Sequence, residues 1–425
     1  MSMSSYGFAK GNVAKLLASP RYALGWLRAR TVRRDPQLWV VGSAFGVADG
    51  ALAFVRAALE LPSPPRIVWL SGSAQETRAA RELGVADVID RDSGAALSVT
   101  LRAGLAVVTH GFGDVNRYGL SGAVIVQLWH GAPLKKLHAD SPAVTSLGGL
   151  ERLPGASALM RWAYRRGTSR ISLLPTGSPF FVASLCSAFT LTPRQVQVTG
   201  EPRADVLFAG STEDRIAAAR ALLVPHLGEH ADATVILYAP TWRDGEPDPG
   251  VPTEDEWQRL DEFCETNNAV LLVRPHRLAV GEYNHSSSRV RLLTSQQLAD
   301  SMAILWAVDV LVSDYSSMLV DFAATGHHML LLAPDLEAYT RTRGLYIDYG
   351  WLAGGRWSST WTELIDRLDA LLNDQTVARA SAEHTRMLAR TFHTHTDGRN
   401  AARVVSTALD LVHARFTRPR RRGRR

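Results

Sequence analysis

A chain of 425 residues is too long for one hydrophobic core, and 46% hydrophobic with 21% charged residues is a globular composition, which excludes a disordered or fibrous protein. There is no apolar run of about 18 residues, hence no spanning-helix candidate, and two cysteines, Cys186 and Cys264, are too few for a disulfide framework or a cysteine-based zinc site. The net charge of +6 is unevenly spread: residues 1–34 and 415–425 each hold seven bases and no acid, and setting those aside leaves 33 bases against 41 acids, a body at −8. Basic arms on an acidic body argue against a nucleic-acid-binding face and suit contact with an anionic membrane surface.

The opening MSMSSYGFAK lacks the apolar stretch of a secretory leader, so a cytoplasmic protein is expected. Residues 10–30 set Val13, Leu16, Leu17, Leu24, Trp26 and Leu27 among bases, the mixture of an interfacial amphipathic segment, with Pro20 dividing it into two short helical pieces. A helix packed on the first domain with a solvated basic face is the alternative. Beyond the arm, apolar runs alternate with helical patterns, which predicts parallel α/β architecture. Strands are expected at 37–43, 66–72, 86–90, 106–110 and 124–130, with helices near 50–60, 74–83 and 96–103. A second series follows, with strands at 234–240, 269–276, 289–293, 309–314 and 327–334, and helices near 213–223, 254–266, 296–307, 316–325 and 360–372. The expected division is an arm at 1–35, an acceptor-side domain at 36–205, a donor-binding domain at 206–405 and a basic tail at 406–425, whose residues 415–425 are too rich in Arg to fold. Two doubly wound Rossmann-type domains facing across a cleft, a GT-B-like α/β fold, is the predicted architecture.

In such sheets ligands bind beyond the carboxyl ends of the strands, so the polar residues that follow each apolar run carry the chemistry. After VIVQLW come His130, Gly131, Ala132, Pro133, Leu134, Lys135 and Lys136: an imidazole, a backbone freed by glycine, and positive charge for an anionic ligand. After VILYA come Pro240, Thr241, Trp242, Arg243 and Asp244, and after AVLLV come Arg274, Pro275 and His276, whose Arg and His suit a phosphate better than a core. Ser316 and Ser317 open a helix after DVLVSDY, where free N–H groups and two hydroxyls suit a phosphate, with Asp321 four residues on as acceptor for a ribose or polyol hydroxyl. Arg203, in GEPRAD, is expected to reach a phosphate, or else to pair with Asp205. Asp114, Asp140, Asp244, Asp314 and Asp335 are scattered over loops, and no metal-binding motif accompanies them; the set is expected to hold a diphosphate with no metal and no cofactor.

At WHGAPLKK, GEPRAD, ILYAPTWRD, VRPH, VSDYSSMLVDFA, LEAYTRTRGLYIDY and DGRNAAR the sequence resembles the CDP-glycerol:poly(glycerophosphate) glycerophosphotransferases of wall teichoic acid synthesis, with matches in family order over about residues 37–403. The resemblance implies a GT-B-type fold and transfer of a polyol phosphate, glycerol phosphate first among them, from a CDP-alcohol to a hydroxyl of a lipid-linked (prenyl-diphosphate) acceptor or growing polymer, with CMP released. It implies donor contacts at His130 through Leu134, Arg203, Pro240, Thr241, Arg274 to His276, Ser316, Ser317 and Asp321, and a peripheral protein on the cytoplasmic face of the membrane; an oligomer is possible. Three departures stand out: Ala132 where the family usually has Thr, Arg277 where Pro is common, and FGVADGALA at 45–53 without the usual Asn-Ser-Lys. The expected mechanism is in-line attack with His130 as general base and His276 as its catalytic partner on the donor. The alternatives are a CDP-ribitol ribitolphosphotransferase or capsule polymerase of the same family, a nucleotide-sugar glycosyltransferase or epimerase on the same fold, and a non-catalytic scaffold.

Overall fold

A computed structural model of the chain describes residues 18–141, 155–243, 247–276, 279 and 282–417. These form two compact units: residues up to 130, 137–205 and 399 onward make the first, and 131–136 with 206–398 make the second.

The first unit is built on a parallel sheet whose strands are β1 (Asp35–Val41), β2 (Arg66–Ser71), β3 (Asp87–Asp90), β4 (Ala103–Val108) and β5 (Val124–Gln127), in spatial order β3-β2-β1-β4-β5. The register runs Trp39 against Ile67 and Leu105, and Val107 against Val126. Alternate side chains of these strands supply two cores, one on each face, which is why the runs read as continuously apolar. Trp39, Trp69, Val107 and Val126 point to one face and Val40, Val68, Ala106 and Ile125 to the other. Helices Asp49–Leu59, Ala74–Glu82 and Gly94–Arg102 connect the strands, and the last two start at Ser73 and Ser93, whose hydroxyls accept from Glu76 N and Ala96 N. A two-stranded parallel ribbon, β6 (Leu174–Pro175) and β7 (Val196–Gln197), flanks helix Val182–Phe189.

The second unit repeats the plan. Its strands are β8 (Thr234–Ala239), β9 (Ala269–Val273), β10 (Val290–Leu292), β11 (Val310–Ser313) and β12 (His328–Leu331), in order β10-β9-β8-β11-β12, all parallel. In both sheets the order reverses between the first strand and the fourth, and that switch point is where a ligand crevice opens in doubly wound folds. Every strand expected from the sequence is present within a few residues.

Three edges differ from expectation. Helix Asn400–Thr417 belongs to the first unit, where Val404, Val405, Ala408 and Val412 fill the core under helix Asp49–Leu59; the expected boundary at 405 gave no weight to this apolar stripe, and residues 415–417, expected not to fold, end the helix. Only residues 418–425 of that tail lie outside the described residues. Pro20 does not divide a helix but sits in the first turn of helix Ser19–Thr31, where its missing N–H costs nothing; residues 1–17 lie outside the described residues. Arg34 is no part of a solvated arm. It is buried, donating to the carbonyls of Thr100 at 3.0 Å, Gly119 at 2.7 Å and Ser121 at 2.6 Å, and burial lowers its pKa to about 10.

Candidate active site

The motif WHGAPLKK divides between the units: Trp129 and His130 end the first strand system of one, and Gly131–Lys136 pack in the other. In the second unit Lys136 N donates to Gly344 O at 3.0 Å and Tyr346 N to Leu134 O at 2.9 Å, so this short segment pairs with residues 344–346. Ala132 and Leu134 are buried there, and Leu134 lines a small apolar cavity with Tyr315, Leu345, Ile347, Tyr349 and Leu352.

In the first unit the exits of β1, β4 and β5 meet around His130. Trp129 takes a left-handed backbone, φ 62°, a conformation that costs an aromatic residue of order 1 kcal/mol or more and that sets its ring 4.0 Å from the His130 ring. His110 stacks on His130 at 5.0 Å with an interplanar angle of 25°, and Phe45 lies 5.4 Å from His130. Beyond them His138 and Phe189 pack on Trp129 at 5.1 and 5.0 Å. His130 is half-buried, with Nδ1 shut off from water and without a hydrogen-bond partner among the described residues. Burial lowers its pKa to about 3; the neighbouring charges of His110, Arg203 and His138 push the same way, against a hydrogen bond to the Thr109 backbone. The imidazole is therefore neutral throughout the physiological range, the state from which a base accepts a proton.

Arg203 does not pair with Asp205. Its Nε donates to Asp49 Oδ1 at 2.9 Å and its Nη1 lies 4.0 Å from Glu201, while Asp205 accepts from Asn400 N at 2.7 Å and Ala401 N at 2.8 Å, capping the closing helix. The GEPRAD and DGRNAAR motifs are thus one clasp, holding Arg203 near His130. Asp49 is another left-handed residue, φ 54°.

In the second unit the expected residues gather at the exits of β8, β9 and β11. Thr241 follows Pro240 after β8; its N–H donates to both carboxylate oxygens of Asp314, at 2.9 and 3.1 Å, while its buried hydroxyl finds no partner among the described residues. Arg274 turns its guanidinium onto backbone carbonyls, 2.8 Å from Leu298 O and 3.4 Å from Leu293 O, instead of leaving it open for a phosphate. Pro275 is buried, and the exposed His276 ring stacks on Trp242 at 5.7 Å. Ser316 and Ser317 are half-buried ahead of helix Met318–Ala323; Ser316 Oγ accepts from Met318 N at 3.3 Å and Ser317 makes no side-chain cap. Asp321 is buried in that helix. Asp244 and Arg277 lie outside the described residues.

Arg243, which the sequence placed at the β8 exit without a role, is the hub beneath this site. Its Nη1 lies 3.0 Å from Asp314, Nε and Nη2 form a fork on Asp335 at 2.8 and 2.9 Å, and its guanidinium faces the Tyr315 and Tyr339 rings at 5.1 and 5.0 Å. Those two carboxylates raise its pKa above the ordinary arginine value, outweighing the opposing effect of burial. Sequence reasoning also passed over His110 and Phe45. His110 follows β4 as His130 follows β5 and was legible by the same rule, but AVVTH reads as five strand residues and hides the exit.

Two Rossmann-type units, each with polar residues at its switch point, define a GT-B-like α/β protein. Residues 25–410 match the CDP-Glycerol:Poly(glycerophosphate) glycerophosphotransferase family, and the chain belongs to it. It is similar to a teichoic acid glycerol-phosphate transferase of Staphylococcus aureus, 28% identical over 66% of this chain and 70% of that protein. It is also similar to the teichoic acid ribitol-phosphate polymerase TarL of the same organism, 30% identical over 58% of this chain but only 42% of that longer protein. The fold matches a variant of the wall teichoic acid polymerase TagF soaked with CDPG, with a TM-score of 0.73 at 20% identity, covering 98% of this chain and 100% of that one. Among the described residues no helix is long and apolar enough to cross a membrane.

Proposed function

We propose that the protein transfers a polyol phosphate, glycerol phosphate first, from a CDP-alcohol to a hydroxyl on a lipid-linked acceptor, releasing CMP. The acceptor oxygen attacks the phosphorus that bears the polyol. The P–O bond to CMP breaks, the acceptor proton passes to His130, and the electron pair leaves with CMP as a phosphate monoester. The observation that carries this reading is the neutral, enclosed His130 at the β5 exit within the family's first motif. With a conjugate acid near pH 3, His130 is by itself a weak base. The bound diphosphate supplies what it lacks, because an adjacent anion favours the imidazolium and raises its pKa. Thr241, Ser316, Ser317 and His276 hold the donor phosphates, Asp321 and Arg203 add contacts to it, and no metal or further cofactor takes part.

The first unit also supports docking on an anionic membrane surface. Helix Ser19–Thr31 exposes Leu24, Trp26 and Leu27 beside Arg21, Arg28 and Arg30, and helix Ala156–Thr168 exposes Leu159 and Trp162 beside Arg161, Arg165 and Arg166.

Calorimetric titration with CDP-glycerol, CDP-ribitol and a UDP-sugar tests the donor. The proposal expects a CDP-polyol to bind at least tenfold more tightly than the UDP-sugar. Tighter binding of the UDP-sugar replaces it with a glycosyltransferase or epimerase.

A further inference from the structure

Three buried polar groups in the first unit do nothing for the proton transfer yet are built with care. Ser43, Thr109 and Asp114 are each at most 5% exposed. Asp114 Oδ2 accepts from the N–H groups of Thr109 at 2.9 Å, His110 at 2.7 Å and Gly111 at 3.2 Å, and from the Thr109 hydroxyl at 3.2 Å. The Thr109 hydroxyl in turn lies 3.2 Å from Ser43 Oγ and accepts from Ala44 N at 3.2 Å, while Ser43 Oγ accepts from Phe45 N at 3.0 Å. Gly42 admits this packing, since a Cβ there would stand 1.9 Å from Asp114 O. A satisfied buried polar network fixes one geometry, and this one ties the exit of β1 to the exit of β4.

What it holds in place is a pair of exposed rings that both touch His130 and each other. Phe45 is 40% exposed, and its ring lies 5.4 Å from His130 and 6.5 Å from His110, edge to face; His110 is exposed and stacks on His130 at 5.0 Å. The Phe45 ring thus packs on both imidazoles with part of its surface left open to solvent. Arg203, within electrostatic reach of His130, is engaged by Asp49 and Glu201. Among the described residues the close contacts of His130 are thus ring faces, which suits a hydroxylated, uncharged ring better than a phosphodiester.

We propose that Phe45 and His110 are acceptor-positioning residues, forming with His130 a recess for the carbohydrate end of the acceptor: a sugar ring lies with its C–H face on Phe45 and presents one hydroxyl to His130. This rests on the reading of His130 as the base and adds to it the class of acceptor. The enzyme then starts chains on a sugar-ended acceptor in preference to extending a polyol phosphate.

The test uses the full chain with two soluble acceptors, an octyl N-acetylhexosaminide and octyl phosphoglycerol, and the variants Phe45→Ala, Phe45→Tyr and His110→Ala. Phe45→Ala is expected to raise KM for the glycoside about tenfold, with kcat and the CDP-polyol Kd within about twofold of wild type; Phe45→Tyr restores KM. His110→Ala raises the same KM severalfold. An unchanged KM in Phe45→Ala, or octyl phosphoglycerol as the better acceptor of the wild-type enzyme, overturns the proposal. Calorimetric binding of the glycoside separates it from the reaction itself. Binding that weakens in Phe45→Ala while no CDP-polyol is turned over keeps the recess and removes the transferase reading. Absence of glycoside binding alongside normal turnover of the other acceptor does the reverse.

Discussion

The two switch points have the same topology and opposite electrostatics. In the first unit the crevice between β1 and β4 is lined by rings, its buried carboxylate Asp114 is satisfied by backbone N–H groups, and burial keeps His130 neutral. In the second, between β8 and β11, Arg243 is locked between Asp314 and Asp335 under two tyrosines, and this charged hub positions Thr241 and the Asp314–Ser317 turn. One fold therefore sets a neutral imidazole among rings at one switch point and a paired arginine beneath the other. The difference lies in the two or three residues that follow each strand.

Removing the groups that do the work should separate the two sites most clearly. His130→Ala is expected to lower turnover more than a hundredfold while the CDP-polyol Kd changes less than about threefold, in line with the general-base contribution of roughly 10²–10⁴. The double change of Ser316 and Ser317 to Ala should do the opposite, weakening donor binding about tenfold or more. If His130→Ala loses donor binding as well, the division of labour is wrong.

The next effect is on stability. Arg243→Ala leaves Asp314 and Asp335 without their cation in a largely buried site, where breaking such a pair costs about 3–5 kcal/mol. A large drop in the urea midpoint is expected, and an unchanged midpoint would show that the hub is ornamental.

Most of this architecture could be read in the sequence. The strands of both sheets follow from apolar runs, because parallel strands covered on both faces have no polar alternation to confuse the reading, and His130, Thr241 and the two serines follow from the strand-exit rule. The partners were not legible. Asp314 and Asp335 lie 71 and 92 residues from Arg243, so the sequence shows an arginine at a strand exit but not the carboxylates that neutralise it. Asp49 likewise takes Arg203 from a distance of 154 residues, in place of the nearby Asp205. The apolar stripe of helix Asn400–Thr417 was masked by the Arg-rich residues that follow it.

The pH dependence sharpens the comparison on the side of the first unit. With His130 near pH 3 in the free enzyme, kcat/KM should show no acid limb from this group above about pH 4. The anionic donor raises the pKa in the complex, so any acid limb of kcat from His130 should lie at higher pH than in kcat/KM; the reverse order would contradict the assignment.

The smallest effect concerns Thr241. Its hydroxyl is buried and unpartnered, so Thr241→Val should leave stability unchanged or raise it by up to about 1 kcal/mol. Donor affinity should fall about three- to tenfold if the hydroxyl is kept for a phosphate oxygen. A loss of stability with no change in affinity would make Thr241 purely structural.

The central claim is the identity of the group transferred, and it is tested most directly by weighing the product. Incubation of the enzyme with CDP-glycerol and a synthetic prenyl-diphosphate disaccharide, followed by mass spectrometry, should show the acceptor heavier by one glycerol phosphate for each CMP released. An acceptor heavier by a sugar when a UDP-sugar is supplied, with none modified from any CDP-polyol, would contradict it.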